Sequence, residues 1–172
     1  YSLAKTPDRA AQFKWVGKIK SERFFIWGLR SQFNRKLSSV EDARKYRVAT
    51  SKDYNSAYYV KNNGFKHIHL TTQDRQAVGM LYKKRADIII SSELVLQKLS
   101  IKYGYDFSQL IKLADVVELN NDLSIAFSQG TDDELVKRFQ YAYTYLEQSG
   151  ELEQLRKKWN VFDDMPLAQS VN

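Results

Sequence analysis

Few side chains in this 172-residue sequence are of types that do chemistry at close range, and their spacing narrows the options. His67 and His69 stand two apart, so on a strand they share one face. Two imidazoles can begin a metal site, but no Asp, Glu or Cys accompanies them at close spacing, and an exposed edge strand accounts for them better. With no cysteine there is no disulfide scaffold, thiolate zinc site or cysteine nucleophile. No Ser-His-Asp constellation, Gly-rich phosphate loop or EF-hand is present, so neither a metal nor a cofactor is expected. The segment RVATSKDYNSAYY offers more. It runs from strand into helix and leaves backbone N–H groups at Asp53 to Ser56 free to face a carboxylate. Around that turn Lys52 suits an acidic group, Tyr54 suits stacking on a ligand, and Asn55 offers a hydrogen-bonding amide. Asp53 serves equally well as a plain helix cap.

Composition sets the outer bounds. There are 27 Lys and Arg against 20 Asp and Glu, a net charge of +7, with 43% hydrophobic residues. That suits one domain, or two small ones sharing elements, with a real core. A basic balance invites nucleic acid or an anionic surface. Yet the cations are scattered and interrupted by acids, and no nucleic-acid signature appears, so a solvated basic surface is the better reading. No apolar run approaches the roughly 18 residues of a membrane span. The opening YSLAKTPDR has neither a signal-peptide layout nor a starting Met, which reads as a processed or cut end.

Strand-like and helix-like segments alternate, predicting an α/β fold with mostly parallel sheets and flanking helices. Strands are expected at Arg23 to Leu29, Arg47 to Ser51, HIHL, Ala86 to Ser91, VVEL and Leu123 to Ser128. Ser39 is placed to cap a short helix VEDARKY, Asp53 to cap YNSAYYVKNN, and Thr72 to cap QDRQAVGMLYKKR. Gly64 and Gly104 supply stops, and ELVLQKLSIKY lies before the latter. Thr131 and Glu134 form a capping box ahead of the longest helix, whose stripe is Leu135, Val136, Phe139, Ala142, Tyr143 and Leu146. Gly150 breaks it before a last helix, ELEQLRKKW. Trp15, Trp27 and Trp159 are expected to pack; Tyr141 and Tyr145 are expected at the surface.

Three stretches together resemble the family 3 extracellular solute-binding proteins, the polar amino-acid-binding components of ABC importers. SLAKTPDRAAQFKWVG (Ser2 to Gly17) is similar to the family's S-x-x-x-T-x-x-R segment. KKRADIIISSELVLQKL (Lys83 to Leu99) is similar to its G-R-x-D-A-x-x-x-D-E turn from strand to helix. LSIAFSQGTDDELVKRFQYAYTYLEQSGELEQLRKKW (Leu123 to Trp159) is similar to its closing strand, capped helix, S-G break and final helix. The resemblance implies a two-lobed, type II periplasmic-binding-protein fold. Residues 25–119 would form lobe 2, with 1–24 and 120–172 a partial lobe 1. Family members start with a strand–helix–strand–helix region that has no counterpart here. By analogy roughly 70 residues of an ordinary two-lobe protein are wanting, and a cleaved N-terminal segment or a neighbouring chain is expected to complete lobe 1.

The resemblance also implies roles. Arg9 matches the arginine that makes a forked contact with a ligand's α-carboxylate, a geometry only guanidinium provides. Ser2 lies on the same segment and would add a backbone or hydroxyl contact, while Ala4 stands where many members have a second Ser. In lobe 2 the turn with Lys52, Tyr54 and Asn55 replaces the family's Gly-Thr-Thr, with Asn55 standing for a Thr hydroxyl. The largest departure is Ser91-Ser92-Glu93, because many members carry Asp where Ser92 stands, pairing it with the ligand's ammonium. A serine cannot neutralise a buried cation. Either Glu93 or a residue of the wanting segment takes over, or the solute is not a standard α-amino acid.

The function so implied is capture of a small carboxylate-bearing solute, an amino acid or derivative, in the periplasm for delivery to the membrane permease of an ABC importer. The lobes would close on it between Arg9 and the turn from Lys52 to Asn55. A sensory input domain of the same fold is the first alternative. A non-enzyme is expected; the further alternative, a cyclohexadienyl-dehydratase-like enzyme, would rely on Glu93 as its acid.

Overall fold

The computed structural model describes residues 2–159 and 161. In chain order the strands are β1 (Ser2–Lys5), β2 (Phe13–Glu22), β3 (Phe24–Leu29), β4 (Arg47–Ser51), β5 (His67–Thr71), β6 (Ile88–Ser92), β7 (Leu110–Asp115) and β8 (Asn121–Ser128). The helices are α1 (Pro7–Ala10), α2 (Asn55–Asn62), α3 (Asp74–Tyr82), α4 (Glu93–Lys102), α5 (Asp133–Gln148) and α6 (Glu151–Lys158). Among the described residues the chain divides into two compact units. One holds 2–22 with the residues from 120 onward, and the other is Arg23–Leu119.

The second unit is built on a five-stranded sheet of order β5-β4-β6-β3-β7. Its inner strands are apolar on both faces, so alternate residues feed two cores. Ile26, Val48, Ile88, Ile90 and Leu113 pack on one side with Tyr59 and Val60 of α2. Phe25, Trp27, Leu29, Ala49 and Ile89 pack on the other with Val78 and Leu81 of α3 and Leu96 of α4. The α/β class is as expected, but the sheet is mixed. Parallel pairing is confined to β5–β4 and β4–β6, where a helix follows each strand and returns the chain. β3 and β7 lie outside that run and pair antiparallel, β3 with both β6 and β7.

A charge clamp ties the starts of the two inner parallel strands. Arg47 donates from its backbone N and Nε to one oxygen of Asp87 (2.9 and 3.0 Å) and from a terminal nitrogen to the other (2.7 Å). The Asp87 backbone N–H answers by donating to the Arg47 carbonyl at 2.8 Å. These contacts surround the register Val48 opposite Ile88.

In the first unit β8 lies between β1 and β2, antiparallel to both. α5 packs on β2 through the ring of Tyr143, which occupies the place a Cβ on Gly17 would need (2.4 Å). The Tyr143 hydroxyl donates to the Lys18 carbonyl at 2.8 Å. The predicted stripe is only partly covered: Val136 is buried, whereas Leu135 is 39% and Phe139 47% exposed, and Ala142 is exposed too.

Several boundaries differ from expectation. VVEL is not a strand; Val117–Leu119 is a single 3-10 turn, and the strand lies earlier, at β7, where Lys112 interrupts an apolar run. The VEDARKY segment is a single 3-10 turn, Glu41–Lys45, preceded by Val40 and not capped by Ser39. α2 starts after Tyr54, so Asp53 is one residue too early to cap it. α3 starts after Gln73; Thr72 instead donates from its N and Oγ1 to Gln76 Oε1 (3.1 and 3.2 Å). α5 is capped by Asp132, whose carboxylate accepts from the Leu135 N–H, and not by Thr131. Trp27 is buried as expected, but Trp159 is 70% exposed.

The Asp87 carboxyl is held below the ordinary carboxylate range, chiefly by hydrogen bonding from the Arg47 side chain, against a smaller opposing effect of burial. A depressed folded-state pKa stabilises the fold above the unfolded value of about 4, and this is lost as pH falls through the folded value. Asp87→Asn is therefore expected to lower the urea midpoint at pH 7 and to flatten its decline below about pH 4. Equal acid dependence in variant and parent would show that the clamp is not electrostatic.

Candidate functional site

Because β4, β5 and β6 run parallel, their C-terminal ends lie on one edge of the sheet, where open α/β sheets bind ligands. α2, α3 and α4 each begin just beyond those ends, so three helix starts converge there. First-turn N–H groups have no intrahelical partner, and each start carries a partial positive charge.

The β4–α2 turn is pinned from two sides. The Lys52 N–H donates to the Thr71 carbonyl (3.0 Å), and the Tyr54 N–H donates to the Ser51 carbonyl (3.1 Å). Behind the turn Thr50 Oγ1 and Ser56 Oγ share a buried hydrogen bond of 2.7 Å. Lys52, Tyr54 and Asn55 are exposed at this edge. Lys52 has no ion-pair partner among the described residues.

Asp74, the first residue of α3, organises the edge. Its carboxylate accepts from Ser51 Oγ at 2.8 Å and from the Tyr54 hydroxyl at 2.6 Å. The Tyr54 ring is thereby laid across a small cavity, about 20 Å³, whose wall includes Thr50, Ala77, Ile89 and Leu99. That is room for about one water. Burial first, and then the hydrogen bond and charge of Asp74, push the Tyr54 hydroxyl up to about 12. The ring is nonetheless 43% exposed, so Asp74 is the contribution a substitution can remove.

At the α4 start, Ser92 is buried at 1% exposure and occupies the cap position without a side-chain capping bond. Glu93 is half-exposed, and its carboxylate accepts from Lys112 Nζ at 2.6 Å. The same ammonium lies 4.2 Å from the Phe25 ring centre and 5.5 Å from that of Trp27, so aromatic faces and a carboxylate hold it together.

In the first unit Ser2 stands exposed on β1, opposite Ile125 of β8. Arg9 is exposed on α1, the single turn that follows Thr6. That turn is fastened by Trp15 Nε1 donating to the Ala10 carbonyl (2.9 Å) and Gln129 Nε2 donating to that of Ala11 (2.6 Å). The backbone just after Arg9 is thus braced.

Of the seven residues singled out in the sequence, Lys52, Tyr54, Asn55, Ser92 and Glu93 gather at the helix-start edge of the second unit, and Ser2 and Arg9 belong to the first. Three residues of that edge escaped sequence reasoning: Ser51, Asp74 and Lys112. Asp74 follows a Thr that looks like the cap, and Lys112 sits in a segment that reads as apolar. His67 and His69 are exposed on β5, the edge strand, and the described residues hold no cluster of three metal-ligating side chains.

No protein-family model matches the chain, and no curated protein matches it. Solved structures do. A histidine kinase sensor domain with similarity to periplasmic binding proteins superposes with a TM-score of 0.74 and 21% identity, over 95% of this chain and 70% of that one. The probable amino-acid ABC transporter extracellular-binding protein ytmK of Bacillus subtilis gives 0.70 and 21%, over 91% and 68%. An amino acid ABC transporter substrate-binding protein, AbpA of Streptococcus pneumoniae, bound to L-arginine, gives 0.69 and 16%, over 91% and 64%. The fold is accordingly the periplasmic-binding-protein fold of amino-acid-binding proteins, and the chain spans about two thirds of the length of these structures.

The hydroxyl of Tyr54 gives the edge a spectroscopic handle. A raised folded-state pKa stabilises the fold fully below about pH 10, and this is lost between pH 10 and about 12. Ultraviolet titration, taken as parent minus Tyr54→Phe, should place the Tyr54 transition near 12. In Asp74→Asn it should fall back toward 10. An unmoved transition would show that Asp74 does not hold the ring.

Proposed function

We propose that the chain is the ligand-binding part of an extracellular or periplasmic protein that captures a small carboxylate-bearing solute, an amino acid or derivative, for an ABC importer. The observation that carries this is the convergence of three helix starts at one sheet edge, in a fold shared with amino-acid-binding proteins. First-turn N–H groups at the start of α2, apart from those of Tyr54 and Ala57, which donate to the Ser51 and Tyr54 carbonyls, suit a carboxylate or a second acidic group together with exposed Lys52 and Asn55. Within the first unit Arg9 is the proposed forked donor to a carboxylate, and Ser2 lies earlier on the same segment. A membrane permease is the partner this role requires.

An α-amino acid also brings an ammonium, which needs a carboxylate. Ser92 cannot supply one and is buried. Glu93 is already paired with Lys112. Asp74 is the half-buried carboxylate of this edge whose partners are hydroxyls and not a cation, so it is the residue that receives the ammonium. Tyr54, fastened to it, forms the wall against which the solute's side chain lies.

A thermal-shift panel of amino acids, amines and simple carboxylates tests this directly. A ligand present at about 100 times its Kd adds roughly 2.7 kcal/mol, a readable shift. Arg9→Lys should weaken every responding carboxylate by about tenfold or more, because the forked geometry is lost. Asp74→Asn should weaken α-amino acids while sparing acids that lack the amine. Silence across the panel in the parent protein would overturn the reading, and binding indifferent to Arg9→Lys would remove Arg9 from it.

Likeness to the histidine kinase sensor domain favours a second reading, a sensory input domain with the same ligand chemistry. Ligand-stimulated ATP hydrolysis by a reconstituted permease complex supports import. Ligand-dependent phosphorylation in a kinase carrying this chain supports sensing.

A further inference from the structure

The second unit carries another concavity, lined by none of the side chains assigned to the solute. A groove of about 650 Å³ is lined by one face of α3 together with the end of β5 and by Tyr105. Arg75 and Lys83 stand on it two helical turns apart, a rise of about 12 Å, with bare Gly79 midway between them. Arg85 joins them after the chain turns at Lys84, whose φ of 58° is left-handed. The Arg85 N–H returns a hydrogen bond to the Met80 carbonyl at 2.8 Å, which fixes that turn against α3. Leu70, 45% exposed, and half-buried Met80 and Tyr105 give the groove apolar surface. Tyr105 is rigid, stacked on Tyr82 with ring centres 4.4 Å apart.

The charge of this groove is not compensated from within. No carboxylate lines it, and Arg75, Lys83 and Arg85 are exposed and make no ion pair among the described residues. The acids nearest in sequence are engaged elsewhere: Asp74 by Ser51 and Tyr54, Asp87 by Arg47, and Asp106 by the N–H and hydroxyl of Ser108. Three cations held around one concavity without counter-charge repel one another, and a partner bearing carboxylates relieves that. The spacing selects the kind of partner. Positions about 12 Å apart along α3 are matched better by several acidic side chains on one chain than by a single small anion. A flat lipid surface does not enter a concavity whose floor is Gly79 and Met80. An extended chain does both, placing acidic side chains at the cations and an apolar one against Leu70, Met80 or Tyr105. β5 is also an edge strand, so the backbone beside the groove has an unpaired margin that an extended segment can line.

We propose that the α3 groove is a docking site for an acidic, extended peptide segment of a partner protein. It shares the end of β5 and the start of α3 with the solute-binding edge but none of the side chains assigned there, and it does not rest on that assignment. The test uses the full 172-residue chain and a fluorescein-labelled twelve-residue peptide of repeating Leu-Glu-Asp, read by fluorescence anisotropy. Saturable binding is expected, weakening as salt rises. The combined variant Arg75→Glu, Lys83→Glu, Arg85→Glu should weaken it by about tenfold or more. An equal charge reversal on the same unit, Arg35→Glu, Lys61→Glu, Lys66→Glu, should change it by no more than about threefold. Circular dichroism checks that both variants fold; all six positions are exposed. Equal loss in the two variants would reduce the effect to net charge and overturn the proposal. So would absence of peptide binding, or binding only to phosphatidylglycerol vesicles.

Discussion

The register between β4 and β6 is the constraint on which the candidate site depends. Side chains on a strand alternate faces, so a slip of one residue would exchange Val48 with Ala49, and Ile89 with its neighbours, between the two cores. The bidentate pairing of Arg47 with Asp87 fixes that register at the strand starts, four residues ahead of Ser51 and five ahead of Ser92. Its product is felt at the opposite end. There the turn carrying Lys52, Tyr54 and Asn55 and the start of α4 arrive on the same sheet edge, with α3 brought alongside by β5. The clamp itself is half exposed and of modest intrinsic strength. Its importance is positional: it selects one alignment from several that bury similar apolar area.

Electrostatic assignments at that edge follow from who is already paired. Glu93 and Lys112 neutralise one another against the faces of Phe25 and Trp27, which makes them a wall more than a receptor for charge. Asp74 is different. Two hydroxyls donate to it, one to each oxygen, filling part of its accepting capacity while leaving its charge uncancelled. Under the proposed function, a carboxylate in that state, beside helix starts that attract the opposite charge, would separate an amino acid's two charges without being consumed by a protein cation. That reading gives Asp74 on α3 the pairing with an ammonium that Ser92, at the start of α4, cannot supply.

How far the sequence revealed this depended on the type of signal. Strongly apolar, β-branched segments such as RVATS and ADIIIS were legible because burial on both faces needs such composition. The strand β7 was not, since Lys112 breaks its pattern, and the adjacent VVEL has better strand composition but lies in a 3-10 turn. Caps at α2, α3 and α5 were misplaced by one residue each. Thr, Asp and Ser crowd those boundaries, and the sequence does not say which side chain meets an N–H. The parallel share of the sheet was overestimated because alternation of strands and helices does not distinguish a strand inserted antiparallel, such as β3. Arg9 drew attention only through family resemblance. Asp74 drew none, because what sets it apart is contact with Ser51, 23 positions earlier, and Tyr54, 20 positions earlier.

The net charge of +7 is better understood as a distribution than as a sum. Several cations are tied locally: Lys14 to Asp133, Arg44 to Glu41, Arg47 to Asp87 and Lys112 to Glu93. Subtracting such pairs leaves a surplus spread over the second unit, part of which, Arg75, Lys83, Lys84 and Arg85, lies on or just after α3. A scattered surplus serves solubility and needs no partner. A surplus arranged along a groove with an apolar floor and a left-handed turn at its rim is harder to attribute to solubility, because isolated lysines on flat surfaces achieve that without strain. Lys84 takes a backbone conformation that glycine would adopt more cheaply, at a cost on the order of 1 kcal/mol. Placing a cation there adds to the positive field that Lys83 and Arg85 already produce, so local stability and local charge oppose each other at this turn. The turn also serves the fold, since it closes α3 with the Arg85 and Ala86 N–H groups donating to the Met80 carbonyl, and a terminal nitrogen of Arg47 donates to the Lys84 carbonyl at 3.0 Å.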